Sequence, residues 1–253
     1  MFEIIRIPAF KDNYIWLLRK GASAAVVDPG DAGPVLEVLQ REGLILTSIL
    51  VTHHHADHQG GVKDLLAHYP VEVFGPASES ITGITQPLSG GETIRLIPLE
   101  AEFKVLAVPG HTLGHLAYYG CDSLFCGDTL FAGGCGRLFE GTPAQMFDSL
   151  TRLSALPEDT AVYCAHEYTE ANLRFALAVE PRNKLLRNRV DEVLVARAKG
   201  WATVPSALAL ERATNPFLRC GKPDVIAAAH SRGSHSEAPV DVFTALREWK
   251  NGF

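Results

Sequence analysis

Long apolar runs, paired cysteines and basic blocks are all missing from this chain. No hydrophobic stretch approaches the roughly 20 residues that a helix needs to cross a bilayer, so no membrane span and no membrane partner is expected. The start, MFEIIRIPAFKDNYIW, lacks the charged head, long apolar stretch and small-residue cleavage site of a signal peptide, which argues against secretion. The cysteines number five, an odd count, and none falls in a CxxC pair. Cys121, Cys126, Cys135, Cys164 and Cys220 therefore read as reduced thiols of a cytoplasmic protein, most of them small core residues. A net charge of −6 without a basic block speaks against nucleic acid as a partner.

What is present points to a large soluble core. The 253 residues suffice for one big domain or two, and 47% are hydrophobic. Up to about Cys164, short strands alternate with helices. FEIIRIP alternates at period two, while YIWLL and AAVVDPG are apolar runs that end at turn residues. Asp31 is placed to cap a helix running to about Glu42, LILTSILVT follows as a buried strand, and VKDLLAHYP reads as a helix. ETIRLIPL, EFKVLAVPG, LAYYG and DSLFCGD look like further strands, and Thr142-Pro143 opens another helix. After His166 strand signals fade. Helical periodicity marks Thr169 to Ala198 and returns in VDVFTALREWK, whereas GKPDVIAAAHSRGSHSEAP reads as a loop or irregular helix.

The densest chemistry lies in VTHHHADHQGG, where four histidines and an aspartate fall between His53 and His58. No packing argument needs that arrangement, and a metal does. At a strand end, His53 and His55 can face one point while His54 turns away. Asp57 and His58 follow in the turn before the next helix, with Gly60 and Gly61 permitting close backbone approach. Further ligands must come from elsewhere. His111 in VPGHTLGH, Asp128 in FCGDTLF and His166 in YCAHEYT each follow an apolar, strand-like run. If Asp128 lends one oxygen to each of two metals, seven residues supply four contacts per metal. The donors are all nitrogen or oxygen, which suits zinc and is compatible with iron or manganese. His54, His68, His230 and His235 read as ordinary surface or core histidines, and His115 as a structural hydrogen-bonder.

THHHADH resembles the THxHxDH signature of the metallo-β-lactamase superfamily, and PGHTLGH, GD and AHEYT follow in that family's order. DNYIWLL, GCGRLFEGT, AHEYTEANLRFA, TNPFLR and the terminal RxxKNxF resemble pieces of the hydroxyacylglutathione hydrolase (glyoxalase II) family, across nearly the whole chain. The resemblance implies an α/β fold: an αββα sandwich over residues 1–165, carrying a dinuclear metal site, then a smaller α-helical C-terminal domain over 166–253. It implies that His53, His55 and His111 bind one metal, Asp57, His58 and His166 the other, and that Asp128 bridges. The implied activity is hydrolysis of S-D-lactoylglutathione to D-lactate and glutathione, with Asp57 and Asp128 acting beside a metal-held hydroxide.

Such a site needs no cysteine nucleophile, and a thiol leaves as thiolate with little help. Glutathione thioesters carry two carboxylates, so an acidic protein must offer local cations. Arg137, Arg247 and Lys250, with the phenol of Tyr168, resemble the family's substrate contacts. Some family members have lysine at position 137 and tyrosine at 139, where this chain has arginine and Phe139. The expected partner is this small molecule alone, bound by a monomer. Rival readings are a β-lactamase or nuclease, an iron oxygenase, and a non-catalytic metal-binding protein. The missing signal peptide, the acidic balance, the full second ligand set and the terminal RxxKNxF argue against them in turn.

Overall fold

Apolar alternation in the first residues builds a hairpin. In the computed structural model, which describes residues 2–253, β1 (Glu3–Ala9) pairs antiparallel with β2 (Asn13–Lys20), and β2 with β3 (Ser23–Val27). Asp31 then caps α1 (Ala32–Glu42), its carboxylate accepting from the Gly33 N–H at 2.9 Å. Gly43, at φ 63°, ends the helix in the left-handed region where glycine carries no side-chain penalty. This crossover helix lets β4 (Ile45–Leu50) run parallel to β3. A one-turn helix α2 (Ala56–Gln59) and α3 (Val62–His68) lead to β5 (Glu72–Pro76) and β6 (Gln86–Leu88), both parallel additions. The sheet order is β1-β2-β3-β4-β5-β6. Its core draws on Leu17, Val26 and Ile49 from the strands, Val51 just past β4, and Val35 and Leu39 from α1.

Four further strands form an antiparallel meander: β7 (Thr93–Leu96), β8 (Ala101–Ala107), β9 (Leu116–Gly120) and β10 (Ser123–Gly127). The ETIRLIPL strand stops earlier than its sequence suggests. Pro98 has no N–H for a ladder, and Ile97–Leu99 form a 3-10 turn instead.

Packing divides the chain into two compact units. One comprises the residues up to Val108 with Gly114–Gly127; the other comprises Pro109–Leu113 and Asp128–Phe253. The second unit opens with a short hairpin, β11 (Leu130–Phe131) and β12 (Gly134–Cys135). Next comes α4 (Pro143–Ser154), closed by a reciprocal capping box between Thr142 and Gln145. After β13 (Ala161–Cys164) the helical region is broken where Pro181 interrupts it, giving α5 (Thr169–Val179) and α6 (Lys184–Ala198). The two-residue β14 (Ser206–Ala207) pairs with β13, a strand that the sequence does not announce. It is followed by α7 (Leu208–Thr214), α8 (Pro223–His230) and α9 (Pro239–Asn251). Thus part of the irregular stretch 221–239 is a regular helix.

Buried charge ties this unit together. Arg189 pairs with Glu211, whose other oxygen accepts the Gly133 N–H in the β11–β12 turn at 2.8 Å. Removing one partner of such a pair costs about 3–5 kcal/mol, because the other charge stays buried. Among the described residues no helix is long and apolar enough to cross a membrane.

Candidate metal-binding clusters and cavity

The carboxyl ends of β3 and β4, adjacent parallel strands, deliver the first cluster. Asp28 leaves β3 at φ 51°, a left-handed conformation that aspartate tolerates better than most residues. Its carboxylate accepts from the Thr52 N–H at 2.7 Å and the Thr52 hydroxyl at 2.8 Å, and it lies 3.0 Å from His58 Nδ1. Since the Thr52 proton goes to Asp28, Thr52 Oγ1 is left to accept from His53 Nδ1, 3.0 Å away. Both rings are thus engaged through Nδ1 on the outer side, and Nε2 is the nitrogen each turns inward, that of His58 lying 3.6 Å from Asp57 Oδ2. His53 Nε2 faces His55 Nδ1 at 3.0 Å, a separation that two imidazole nitrogens keep only around a proton or a metal. Asp57 is held by Asn13, whose Nδ2 donates to Oδ2 at 2.9 Å. Asp57 and His58 lie within α2 rather than in a turn, a correction to the sequence reading. Gly61 earns its place, since a Cβ there would meet backbone atoms of Pro29, Asp31 and Ala32 at 2.5–2.7 Å. His54 turns to Glu79, but not by strand alternation, since β4 ends at Leu50 and these histidines lie in the loop beyond it. His115 stacks on His53 with centroids 4.6 Å apart.

In the second unit Asp128 faces two imidazoles. Its Oδ2 lies 3.3 Å from His111 Nε2 and its Oδ1 3.3 Å from His166 Nε2. His111 Nδ1 donates to the Arg137 carbonyl at 2.8 Å, so Nε2 is the nitrogen turned to the Asp128 carboxylate. A proton on that nitrogen, or a cation between the two groups, brings them together at that distance. This geometry fits a divalent metal, with the outer nitrogen fixed by a carbonyl and the inner one offered to the ion. Gly136 lets its backbone pack close behind these residues, because a Cβ there would fall 1.9 Å from the Asp128 backbone oxygen and 3.2 Å from His111 Nδ1. Tyr168 stacks flat on His166, centroids 4.6 Å apart and 8° between planes.

A cavity of about 420 Å³ opens beside His111 and Asp128. Arg137, Tyr168, Arg247 and Lys250, spread over more than a hundred positions of sequence, all line it. Arg247 is only 3% exposed, and its Nη1 donates to the carbonyl of Cys135 at 2.9 Å. Lys250 sits 5.2 Å above the Phe175 ring. Burial, then the charge of Arg247, pulls its ammonium down to about 8. Among the described residues, Arg137, Arg247 and Lys250 make no ion pair, so their charge remains available to an anionic ligand. Phe139, 63% exposed, borders the cavity edge-on to His111 at 5.2 Å. Burial pushes the Cys164 thiol up to about 12 and raises that of Cys135 against the pull of Arg247. Neither is a ready nucleophile.

Sequence reasoning missed Asp28, Asn13 and Thr52, although each was in view. Asp28 follows β3 as His53 follows β4, and a polar residue directly behind a buried parallel strand is the signal that finds it.

Residues 10–166 match the family model described as the metallo-beta-lactamase superfamily, the class of protein that the mixed sheets and His/Asp clusters define. Residues 167–253 match the model described as hydroxyacylglutathione hydrolase C-terminus. The hydroxyacylglutathione hydrolase of Dechloromonas aromatica is 57% identical, with all of both chains covered. The chain belongs to the hydroxyacylglutathione hydrolase family. Its fold is that of the metallo-β-lactamase superfamily, extended by a helical C-terminal region. Among solved structures, ETHE1 from Myxococcus xanthus aligns at a TM-score of 0.66 with 25% identity, covering 99% of each chain. The protein TTHA1623 in a di-iron-bound form aligns at 0.54 with 32% identity, covering 63% of this chain and 90% of that one.

Proposed function

We propose that this chain hydrolyses S-D-lactoylglutathione to D-lactate and glutathione, the second step of methylglyoxal detoxification, as a cytoplasmic monomer. The observation that carries the reading is the cavity beside His111 and Asp128, where three cations without ion-pair partners meet the tyrosine that stacks on His166. The full-length likeness to hydroxyacylglutathione hydrolases supports the substrate class.

In this reading His53, His55 and His111 hold one divalent ion, Asp57, His58 and His166 hold a second, and Asp128 serves both. Divalent ions bound there, zinc in this reading, would bring the pKa of water from 15.7 toward about 7 and polarise a carbonyl oxygen. The chain's own residues do the rest. Asp57, fixed by Asn13, and Asp128 hold the attacking water by its protons. Arg247 and Lys250 pair with the glycine carboxylate of the peptide, and Arg137 and Tyr168 hold the portion nearer the sulfur. The thiol of glutathione has a reference pKa of about 8.5 and departs as thiolate without a dedicated acid. This agrees with a cavity lined by Arg137, Arg247 and Lys250. Residues 1–165 form the catalytic domain in this scheme, and 166–253 the domain that contributes to glutathione binding.

Thiol release from S-D-lactoylglutathione, run beside a β-lactam with zinc and iron content measured, tests the proposal. Rapid thioester turnover with an inert β-lactam is expected. Turnover of the β-lactam without thiol release from the metal-loaded chain would overturn it.

A further inference from the structure

Glu79 follows β5 and belongs to none of the ligand patterns, yet its side chain is only 4% exposed. A carboxylate so deeply buried is costly unless donors surround it. Here they do. Glu79 Oε2 accepts from the His54 backbone N–H at 2.6 Å and faces His54 Nδ1 at 3.0 Å. The other oxygen, Oε1, accepts from the Gly114 N–H at 3.0 Å. The approach at Gly114 is close, for a Cβ there would lie 2.4 Å from Ser78 Oγ and 2.6 Å from Glu79 Cγ. One carboxylate thus grips two backbone segments. The first is the residue between His53 and His55; the second is three positions past His111 in sequence.

The His54 N–H belongs to the planar peptide that joins it to His53. Fixing that N–H fixes the peptide plane, and with it the angles at which the side chains on either side leave the backbone. Gln59 adds a second restraint, its Nε2 donating to the His54 carbonyl at 3.0 Å. The segment is therefore held on both of its peptide planes, while the His54 ring is engaged by the same carboxylate.

We infer that Glu79 is a positioning residue for the metal site, setting the directions in which His53 and His55 present their ring nitrogens. The inference rests on the reading above, in which these two histidines hold one of two divalent ions. A mere clasp of the β5–β6 connection would also use these hydrogen bonds. It would change stability without favouring one ion over the other.

The zinc-loaded full chain, titrated with a competing chelator, separates the two roles. Wild type, Glu79→Ala, Glu79→Gln and His54→Ala are compared, with thermal midpoints recorded. Outer partners of metal ligands typically contribute about 10–100-fold in metal affinity. Glu79→Ala should lose that much for one of the two ions and leave the other unchanged. Glu79→Gln should fall between, because the amide keeps one acceptor and presents N–H groups where a donor already points. His54→Ala should stay near wild type, since it retains the gripped N–H. Unchanged affinity for both ions in folded Glu79 variants would overturn the inference alone. So would a loss shared equally by both ions in step with a falling thermal midpoint. If Glu79→Ala does not fold, Glu79→Gln decides by the same criteria. A wild-type chain that holds no tightly bound ion would overturn the functional reading together with this one.

Discussion

Around the His/Asp clusters and the cavity, the two units secure their polar groups by different means. In the first, buried carboxylates do it: Asp28 holds Thr52 and His58, and Glu79 holds His54. In the second, backbone carbonyls and ring faces do it. Arg137 O takes His111 Nδ1, Cys135 O takes Arg247, and Tyr168 lies flat on His166. The contrast follows from what each group must keep. An imidazole that offers a bare inner nitrogen needs a strong outer acceptor to fix its tautomer. A cation meant for a ligand's carboxylate would be neutralised by a carboxylate of the protein, whereas a carbonyl dipole satisfies an N–H and leaves the charge.

The first way to break this contrast is Asp128→Ala. It removes the group that faces His111 and His166, so the expected loss exceeds the roughly 100-fold typical of an outer partner and extends to both ions. Metals counted per chain after gel filtration check it. Next comes Asp28→Ala, which removes the acceptor behind Thr52 and His58; about 10–100-fold weaker metal retention is expected in chelator competition. An unchanged affinity would mean that carboxylate anchoring is not what fixes the first cluster.

On the other side of the comparison, Arg247→Ala with Lys250→Ala should raise KM and touch kcat less. These contacts lie remote from the reacting carbon, and each charge-assisted hydrogen bond is worth about 1.5–3 kcal/mol. Steady-state kinetics on the glutathione thioester decide this, and an equal fall in kcat with KM unchanged would contradict it.

The smallest expected effect is a pH dependence. Burial favours the neutral form of Lys250, which is why its ammonium titrates near 8 instead of near 10.5. Below that value the cation is present; as pH rises through it the charge goes, and KM should climb. The Lys250→Ala profile should lack this rise, whereas a rise of the same size in that variant would assign it to another group.

Much of the His/Asp cluster was legible because His53, His55, Asp57 and His58 crowd into six positions, although β4 ends at Leu50 and no strand period reaches them. Helices with written ends were equally legible, α1 by Asp31 and α4 by Thr142 with Pro143. What escaped was held at long range. Asp28 lies 24 positions from Thr52, and Glu79 lies 25 from His54. A single carboxylate behind a strand looks like any turn residue until the fold supplies its donors. β11, β12 and β14 are two residues each, too short for alternation to show.

Titrating the metal-stripped chain with zinc while following thiol release from S-D-lactoylglutathione bears most directly on the account. Stripping should abolish turnover, and recovery should saturate at two ions per chain. Full activity in the stripped chain, or saturation at a single ion, would contradict it.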